Sequence, residues 1–337
     1  MAVLVTGGAG YIGGHMALAL VDAGERPVVL DNLSTGFRWA VPTGAKLVVG
    51  DFGDAALVDR VIADEGIDAI AHFAAKIVVP ESVADPLSYY DNNVAKARTL
   101  IERAVKGGVG AFIFSSTAAV YGDPGADPVK EETPADPLSP YGRSKLMVEW
   151  MLDDASRAHG LPYAILRYFN VAGADPQGRL GQSTPAATHL IKRAVQTALG
   201  RHASMAIYGD DYPTPDGTGV RDYIHVTDLI AAHMAALARL RGGGGSALLN
   251  CGYSRGYSVL EVIETVKRVS GVDFTVTREP RRAGDSAAVV ADASRARREL
   301  GWAPRYDDLE TIVRHALDWE RRIHNRFGAE GPPREGA

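Results

Sequence analysis

A chain of 337 residues with 36 Lys and Arg against 41 Asp and Glu has a net charge of -5, which leaves no basic footprint for nucleic acid. No apolar run approaches the roughly 20 residues that a bilayer-spanning helix needs, and no signal peptide is expected ahead of the first strand, so no membrane partner is read here. A single cysteine, Cys251, excludes an intramolecular disulfide and favours a reducing cytoplasm, while the dispersed histidines offer no metal-ligand spacing.

The chain opens on a short apolar strand, Val3–Val5, and passes directly into Thr6-Gly7-Gly8-Ala9-Gly10-Tyr11-Ile12-Gly13. A helix is expected from Met16 to Ala23, closed by Gly24 in a left-handed cap, and a second strand, Val28–Leu30, ends in Asp31. Strand, glycine turn, helix, strand and terminal acid form the unit that binds a dinucleotide. Gly7, Gly10 and Gly13 suit the tight turn and let the backbone approach a pyrophosphate at the helix start. Asp31 can accept both ribose hydroxyls of NAD and would repel a 2′-phosphate. Asn32, Leu33 and Ser34 supply no cation to receive one, and Arg38 reads as a surface residue, so the cofactor expected is NAD and not NADP.

A third strand runs over Lys46–Asp51, with Asp51 placed to meet the adenine. The fourth, Ala69–Ala75, has small residues where the chain passes the pyrophosphate; a helix over Val94–Lys106 follows. The fifth, Ala111–Thr117, ends in three hydroxyls at the carboxyl edge, where open α/β sheets bind ligands. Tyr141 and Lys145 begin the next helix, one turn apart on the same face. A lysine cation beside a phenol pulls its pKa down from about 10, which yields a general base near neutral pH. Tyr163–Tyr168 is the sixth strand.

After Asn170 the texture changes. Gly173–Thr184 and Tyr208–Gly219 are rich in Gly, Pro and polar residues and read as loops of a smaller, irregular substrate domain. Val226–Leu240 is an apolar helix, Gly242–Gly245 a flexible turn, and Ala247–Cys251 a strand returning to the sheet. The fold class expected is α/β: a Rossmann-type doubly wound parallel sheet with a smaller C-terminal substrate-binding domain. Residues 1–170 with a returning segment at about 226–255 form the NAD domain. Residues 171–225 and 256–327 form the substrate domain, and 328–337 a disordered tail.

The glycine turn, Thr117, Tyr141-x-x-x-Lys145 and Tyr168-Phe169-Asn170 resemble the extended short-chain dehydrogenase/reductase superfamily. Glu81-Ser82, Tyr89–Asn93, Gly217–Val226 and Arg281-Arg282-x-Gly284-Asp285 narrow the likeness to its UDP-glucose 4-epimerases, over about residues 1 to 320. The resemblance implies an enzyme that interconverts UDP-glucose and UDP-galactose by transient oxidation at C4, with tightly bound NAD regenerated in each turnover. Tyr141 would be the base, Thr117 would bond the reacting oxygen, and Lys145 would hold the nicotinamide ribose and lower the Tyr141 pKa. The cofactor residues carried over are Gly7, Gly10, Tyr11, Ile12, Gly13, Asp31 and Asn32 from the first unit. Asp51, Phe73, Ala74, Asn93, Tyr141, Lys145 and Tyr168 complete them. Substrate residues are Thr117, Tyr141, Asn170, His189, Leu190, Arg221, Tyr223, Arg282, Asp285 and Val289. The resemblance also implies a homodimer built on helices near 94–106 and 141–157.

Three departures from that family pattern stand out. His189 replaces an asparagine, Ala75 replaces a glycine, and Lys76 is offset from the cofactor lysine and receives no role. Ala118 and Ala119 occupy the places where the related 4,6-dehydratases carry an Asp-Glu pair, which argues against elimination chemistry. The decarboxylases' nearby glutamate is absent too. An epimerase for another UDP-sugar (UDP-N-acetylglucosamine, UDP-xylose/arabinose or UDP-glucuronate) is the alternative, and a non-catalytic NAD-sensing scaffold is the reading from another class. Val289 falls where glucose-restricted relatives have a tyrosine, which leaves room for an N-acetyl group.

Overall fold

The structure is a computed structural model that describes residues 1–125, 127–184, 188–282, 285–328 and 332. Gly284, and the expected tail apart from Gly328 and Pro332, lie outside the described residues. In chain order, β1 (Ala2–Thr6), α1 (Tyr11–Asp22), β2 (Arg26–Asp31), β3 (Lys46–Val49), α2 (Ala55–Glu65) and β4 (Ile67–His72) come first. Short helices α3 (Val79–Ala84) and α4 (Pro86–Tyr90) run through a π-helical turn, Asp91–Ala95, into α5 (Lys96–Lys106). Then come β5 (Ala111–Thr117), α6 (Pro140–His159), β6 (Tyr163–Tyr168), β7 (Asn170–Ala172), α7 (Leu190–Ala198), β8 (Met205–Tyr208), β9 (Val220–His225) and α8 (Val226–Arg241). The last elements are β10 (Ala247–Cys251), β11 (Gly256–Ser258), α9 (Val259–Ser270), β12 (Val276–Glu279), β13 (Ala288–Val289), α10 (Ser294–Leu300) and α11 (Leu309–Phe327).

Seven strands form one parallel sheet in the order β10-β6-β5-β4-β1-β2-β3. The order reverses between β4 and β1, the switch point at which ligands of open α/β sheets bind. Successive residues alternate between two cores, as the two-residue period of a strand demands. Val3, Val5, Ala69, Ala71 and Ile113 pack on the side of α1 and α8, and Leu4, Val28, Leu30, Ile70 and Phe112 on the side of α2, α5 and α6. Both faces are therefore covered, which is why these strands read as nearly continuous apolar runs. The long helix α6 is started by Ser139, whose hydroxyl accepts the Gly142 N–H at 3.1 Å, with Pro140 in the first turn, and Gly160 ends it in the left-handed region.

Beyond Asn170, β7, β9, β11 and β13 form a second sheet and β8 pairs with β12. Several boundaries differ from expectation, and three of them bear on the site. Helix α1 begins at Tyr11, not Met16, because the glycines that make the turn also allow the first helical turn to close against it. Strand β3 stops at Val49: the Gly50 N–H donates back to the Asp31 carbonyl at 3.1 Å and Asp51 opens a turn. Strand β4 runs from Ile67 and is over at His72, since the Phe73 N–H makes the last bond to β1, at the Thr6 carbonyl, and the chain then leaves the sheet. Among the described residues no helix is long and apolar enough to cross a membrane.

Candidate active site

The turn after β1 is packed to the limit. The Gly10 N–H donates to the Gly7 carbonyl at 3.1 Å, and Gly7 sits at a φ of 71°, where a side chain would be strained. A Cβ on Gly7 would lie 2.7 Å from the Ala74 nitrogen, and one on Gly13 would lie 2.3 Å from the Gly7 carbonyl oxygen. Hydrogen alone fits at both places, so the turn, the exit of β4 at Phe73-Ala74 and the start of α1 are in contact. Gly10 caps α1 without a side-chain acceptor, which leaves the N–H groups of the first turn, around Tyr11 and Ile12, to an incoming anion. The Tyr11 hydroxyl donates to the Gly173 carbonyl at 2.7 Å and so ties this helix to the loop after β7.

Asp31 is buried at the tip of β2. Its oxygens accept the Ala9 N–H at 3.0 Å and the Leu33 N–H at 2.8 Å. Burial raises its pKa and these two donors oppose that. A carboxylate offers about four lone-pair directions, so two remain for a ribose diol. Asn32 lies exposed beside it. Asp51 accepts the Gly53 N–H at 2.7 Å and pairs with Lys96 at 2.6 Å, a lysine the sequence reading had not brought to the site. Asn93, turned inward by the π-helical turn, accepts the Lys76 N–H at 2.9 Å and donates to the Lys76 carbonyl at 2.9 Å and to the Ser144 hydroxyl at 3.0 Å. Lys76 itself reaches Ser88 at 3.2 Å and Glu81 at 3.6 Å.

Every residue at the end of β5 is held from outside the strand. The Ser115 carbonyl accepts the Lys145 ammonium at 2.8 Å, and the Ser115 hydroxyl accepts from Tyr168. The Thr117 hydroxyl oxygen accepts the Ala119 N–H at 3.1 Å and hydrogen-bonds the Tyr141 phenol. Thr117, Tyr141 and Lys145 therefore stand together at the carboxyl edge of the sheet. The electrostatics correct one expectation. Burial raises the Tyr141 pKa, and the bond from Thr117 only opposes that. Lys145 does not hold the phenol down: its ammonium turns to Ser115 and the Phe114 ring, and burial pulls its own pKa to about 7. Spacing on a helix brings the two groups near; loss of water decides the direction.

Four expected substrate residues, Asn170, His189, Leu190 and Tyr223, line one cavity with Lys192 and Glu320. Asn170 and Tyr223 are register partners on β7 and β9, and the Asn170 amide donates to the Asp222 carbonyl at 3.3 Å. His189 caps α7 without bonding its backbone, and its exposed ring has Nδ1 3.0 Å from the Gln182 amide. Arg221, Arg282, Asp285 and Val289 do not figure among the described residues of that cavity. Arg221 pairs in register with Val289 and donates to the Val220 carbonyl at 2.8 Å. The Arg282 guanidinium lies over the Tyr208 ring at 3.7 Å, and Asp285 is exposed. Tyr208 opens a segment whose composition reads as a loop, and no local signal in the sequence pairs it with an arginine 74 positions away. Val289 is half-buried against the cluster of Tyr121, Leu146 and Phe169. Among the described residues no group of three His, Cys, Asp or Glu is placed to hold a metal ion.

The glycine turn under β1 and the Thr–Tyr–Lys group at the sheet's carboxyl edge define a dinucleotide-binding α/β protein of the Rossmann type. The chain belongs to the NAD dependent epimerase/dehydratase family, whose model matches residues 3–252. It is 56% identical over 331 residues to the UDP-glucose 4-epimerase of Azospirillum brasilense, covering 98% of this chain and 95% of that one. The crystal structure of UDP-glucose 4-epimerase from Brucella ovis in complex with NAD superimposes with a TM-score of 0.92 at 44% identity, over 97% of this chain and 98% of its own. The UDP-Glc/GlcNAc 4-epimerase of Campylobacter jejuni is similar at a TM-score of 0.84 and 48% identity, over 95% and 99% of the two chains.

Proposed function

We propose that the protein interconverts UDP-glucose and UDP-galactose by transient oxidation at C4. The observation that carries this reading is the meeting of Thr117, Tyr141 and Lys145 at the end of β5, in a chain 56% identical to a UDP-glucose 4-epimerase. When bound, NAD supplies a reversible hydride acceptor. Tyr141 takes the proton of the sugar 4-hydroxyl and later returns one. Thr117 accepts from Ala119 and so presents its own hydrogen toward the phenol and the reacting oxygen. Lys145 would hold the nicotinamide ribose, and the positive charge that NAD brings would favour the phenolate against the burial that raises its pKa. Gly7, Gly10, Tyr11, Ile12 and Gly13 cradle the pyrophosphate, Asp31 and Asn32 the adenosine ribose, and Asp51 the adenine.

Interconversion would require the oxidised sugar to present either face to the cofactor, and this requires anchoring at the nucleotide end. Arg221 and Arg282 serve the diphosphate, where a guanidinium can pair bidentately, and Asp285 the uridine ribose. Asn170, His189, Leu190 and Tyr223 add contacts from their shared cavity. Residues 1–170 with 226–255 hold the cofactor, and 171–225 with 256–327 hold the UDP-sugar. A homodimer is supported by exposed apolar side chains on neighbouring helices, Val79 and Val83 on α3, Leu87 on α4 and Trp150 on α6. The apolar positions Leu100 and Ile101 of α5 are buried, so α6 with α3 and α4 is favoured as the contact. A buried free cysteine supports a cytoplasmic location.

The test is to incubate purified protein with UDP-glucose, without added cofactor, and resolve the C4 epimers chromatographically. UDP-galactose should accumulate to equilibrium. No epimer from protein that carries NAD would sink the reading.

A further inference from the structure

Under the Tyr141–Lys145 face of α6 lies a buried ion pair that no step above uses. Glu149, one turn beyond Lys145, receives Arg167 side-on: the guanidinium Nε lies 2.9 and 3.2 Å from the two carboxylate oxygens, and Nη2 lies 2.5 Å from Oε2. Both side chains are about 5% exposed or less. The same carboxylate accepts the Ser116 hydroxyl. In the sheet, Ser116 sits directly opposite Arg167, and Thr117 opposite Tyr168. Three elements thus meet on one carboxylate: the end of β5, the helix that carries the base, and β6. The Arg167 guanidinium also lies over the Tyr121 ring at 4.8 Å, and the Tyr121 hydroxyl donates to Asn250 on β10 at 2.7 Å.

A buried ion pair is a weak device for stability alone, since well-packed apolar residues often serve as well or better. Its place suggests another use. Lys145 is faced by Glu149 from its own helix, by the Ser115 carbonyl and Phe114 ring from β5 and by His72 from β4, while Tyr168 bonds the Ser115 hydroxyl and Tyr141 the Thr117 hydroxyl. Burial, with the charge of Lys145, pushes His72 down to about 3, so it is neutral, and Arg167 is already paired. Glu149 is the carboxylate in this set, and it opposes the burial that draws Lys145 down to about 7.

We propose that Glu149 is a positioning residue for the reaction, which fixes the end of β5 against α6 through Ser116 and Arg167 and keeps Lys145 protonated beside Tyr141. The inference rests on the epimerase reading. Its sign is definite: without the carboxylate, burial acts on Lys145 unopposed, and the ammonium is lost at lower pH.

The test compares Glu149→Gln, which keeps the shape and removes the charge, with Glu149→Asp, which keeps the charge. In the NAD-loaded protein, the Lys145 ammonium is titrated by NMR with isotope-labelled lysine, its signal assigned through Lys145→Met. The pH profile of kcat/KM for UDP-glucose is recorded alongside. In Glu149→Gln the Lys145 midpoint and the alkaline limb should both move down by about one pH unit or more, a loss of roughly tenfold above the new midpoint. In Glu149→Asp both should stay within a few tenths of a unit, even if the rate falls. Should Glu149→Gln fail to fold with Arg167 unpaired, the double variant Glu149→Gln/Arg167→Met leaves no lone charge, and its Lys145 midpoint should lie below that of Arg167→Met alone, from which it differs only by the carboxylate. An unmoved Lys145 midpoint, or equal shifts in the Gln and Asp variants, overturns the proposal. Absence of turnover in the unmodified protein would count against the epimerase reading alone, because the titration needs no substrate.

Discussion

Gly13→Ala isolates the cofactor turn from everything else in the protein. The added Cβ would sit 2.3 Å from the Gly7 carbonyl oxygen and 2.8 Å from its carbon, against 3.4 Å or more for ordinary contact. These atoms are backbone and cannot swing aside, so the first turn of α1 must withdraw by about 1 Å from the loop that cradles the pyrophosphate. Overpacking of this kind costs roughly 1–3 kcal/mol. Placed on the bound state, that weakens NAD binding roughly 5- to 140-fold, at 1.4 kcal/mol per decade. The assay is to purify the variant without added nucleotide, denature it, and identify and count what is released. The unmodified protein should release NAD and not NADP, because the buried Asp31 carboxylate repels a 2′-phosphate. Gly13→Ala should release several-fold less. Gly24→Ala is the control: that glycine has a φ of 72° but nothing within 4 Å of an added Cβ. It should lower Tm through backbone strain of about 1–2 kcal/mol and retain its nucleotide. A Gly13→Ala protein that holds as much NAD as the unmodified one, or a Gly24→Ala protein that loses as much, would refute the steric argument.

Three further outcomes are expected. Tyr141→Phe should lower turnover by roughly 10²–10⁴-fold with UDP affinity little changed by calorimetry; full activity would remove the phenol from the mechanism. The unmodified protein should epimerise UDP-N-acetylglucosamine as well as UDP-glucose, and Val289→Tyr should suppress the first activity selectively; a protein already confined to UDP-glucose and UDP-galactose would end that gate argument. Stability should fall as pH drops, because His233 is buried neutral with its pKa lowered to about 4, so below about 6.5 the unfolded chain binds a proton the native one refuses. His233→Phe, which keeps an aromatic ring against Phe73 and Tyr168, should flatten the decline of Tm between about pH 6.5 and 4, and an unchanged slope would show that His233 does not contribute.

The first half of the chain was legible because its signals are local. Strand β5 matched its expected bounds from Ala111 to Thr117, and β6 from Tyr163 to Tyr168, since β5 follows a glycine-rich turn and ends in hydroxyls and β6 follows Pro162. The glycine spacing located the turn, although the helix start was misplaced by treating Gly13 and Gly14 as loop when they lie inside α1. Beyond the expected Val226–Leu240 helix and Ala247–Cys251 strand, the substrate domain reads as irregular in sequence, yet it contains α9 and α11. The start of α9 carries a full capping box, Ser258 with Glu261, which was there to be read. The pairing of β8 with β12 was not, because it joins segments about 70 residues apart with no turn between them. The direction of the Tyr141 pKa was also out of reach: residue spacing indicates which groups are neighbours, whereas burial depends on the packing of every element around them.

The π-helical turn at Asp91–Ala95 lies in a segment whose length is fixed by the faces it must present. Such a turn holds one residue more than an α-helical turn, and each residue of an α-helix advances its face by about 100°. The inward residues follow one another from Asn93 at the intervals of three and four that keep one face of a helix turned to the core, so the number of residues between them is fixed. Asn93 faces inward to Ser144 and Lys76, while Ala97, Leu100, Ile101 and Ala104 downstream all face the core. Deleting Val94 or Ala95 would turn Asn93 by about 100° relative to the stripe that follows, and the chain would then have to choose. Either Asn93 rotates away from its partners or the apolar stripe of α5 rotates toward solvent. Insertions and deletions elsewhere in this helical run can be absorbed at its ends, but here a change in length is a change in phase.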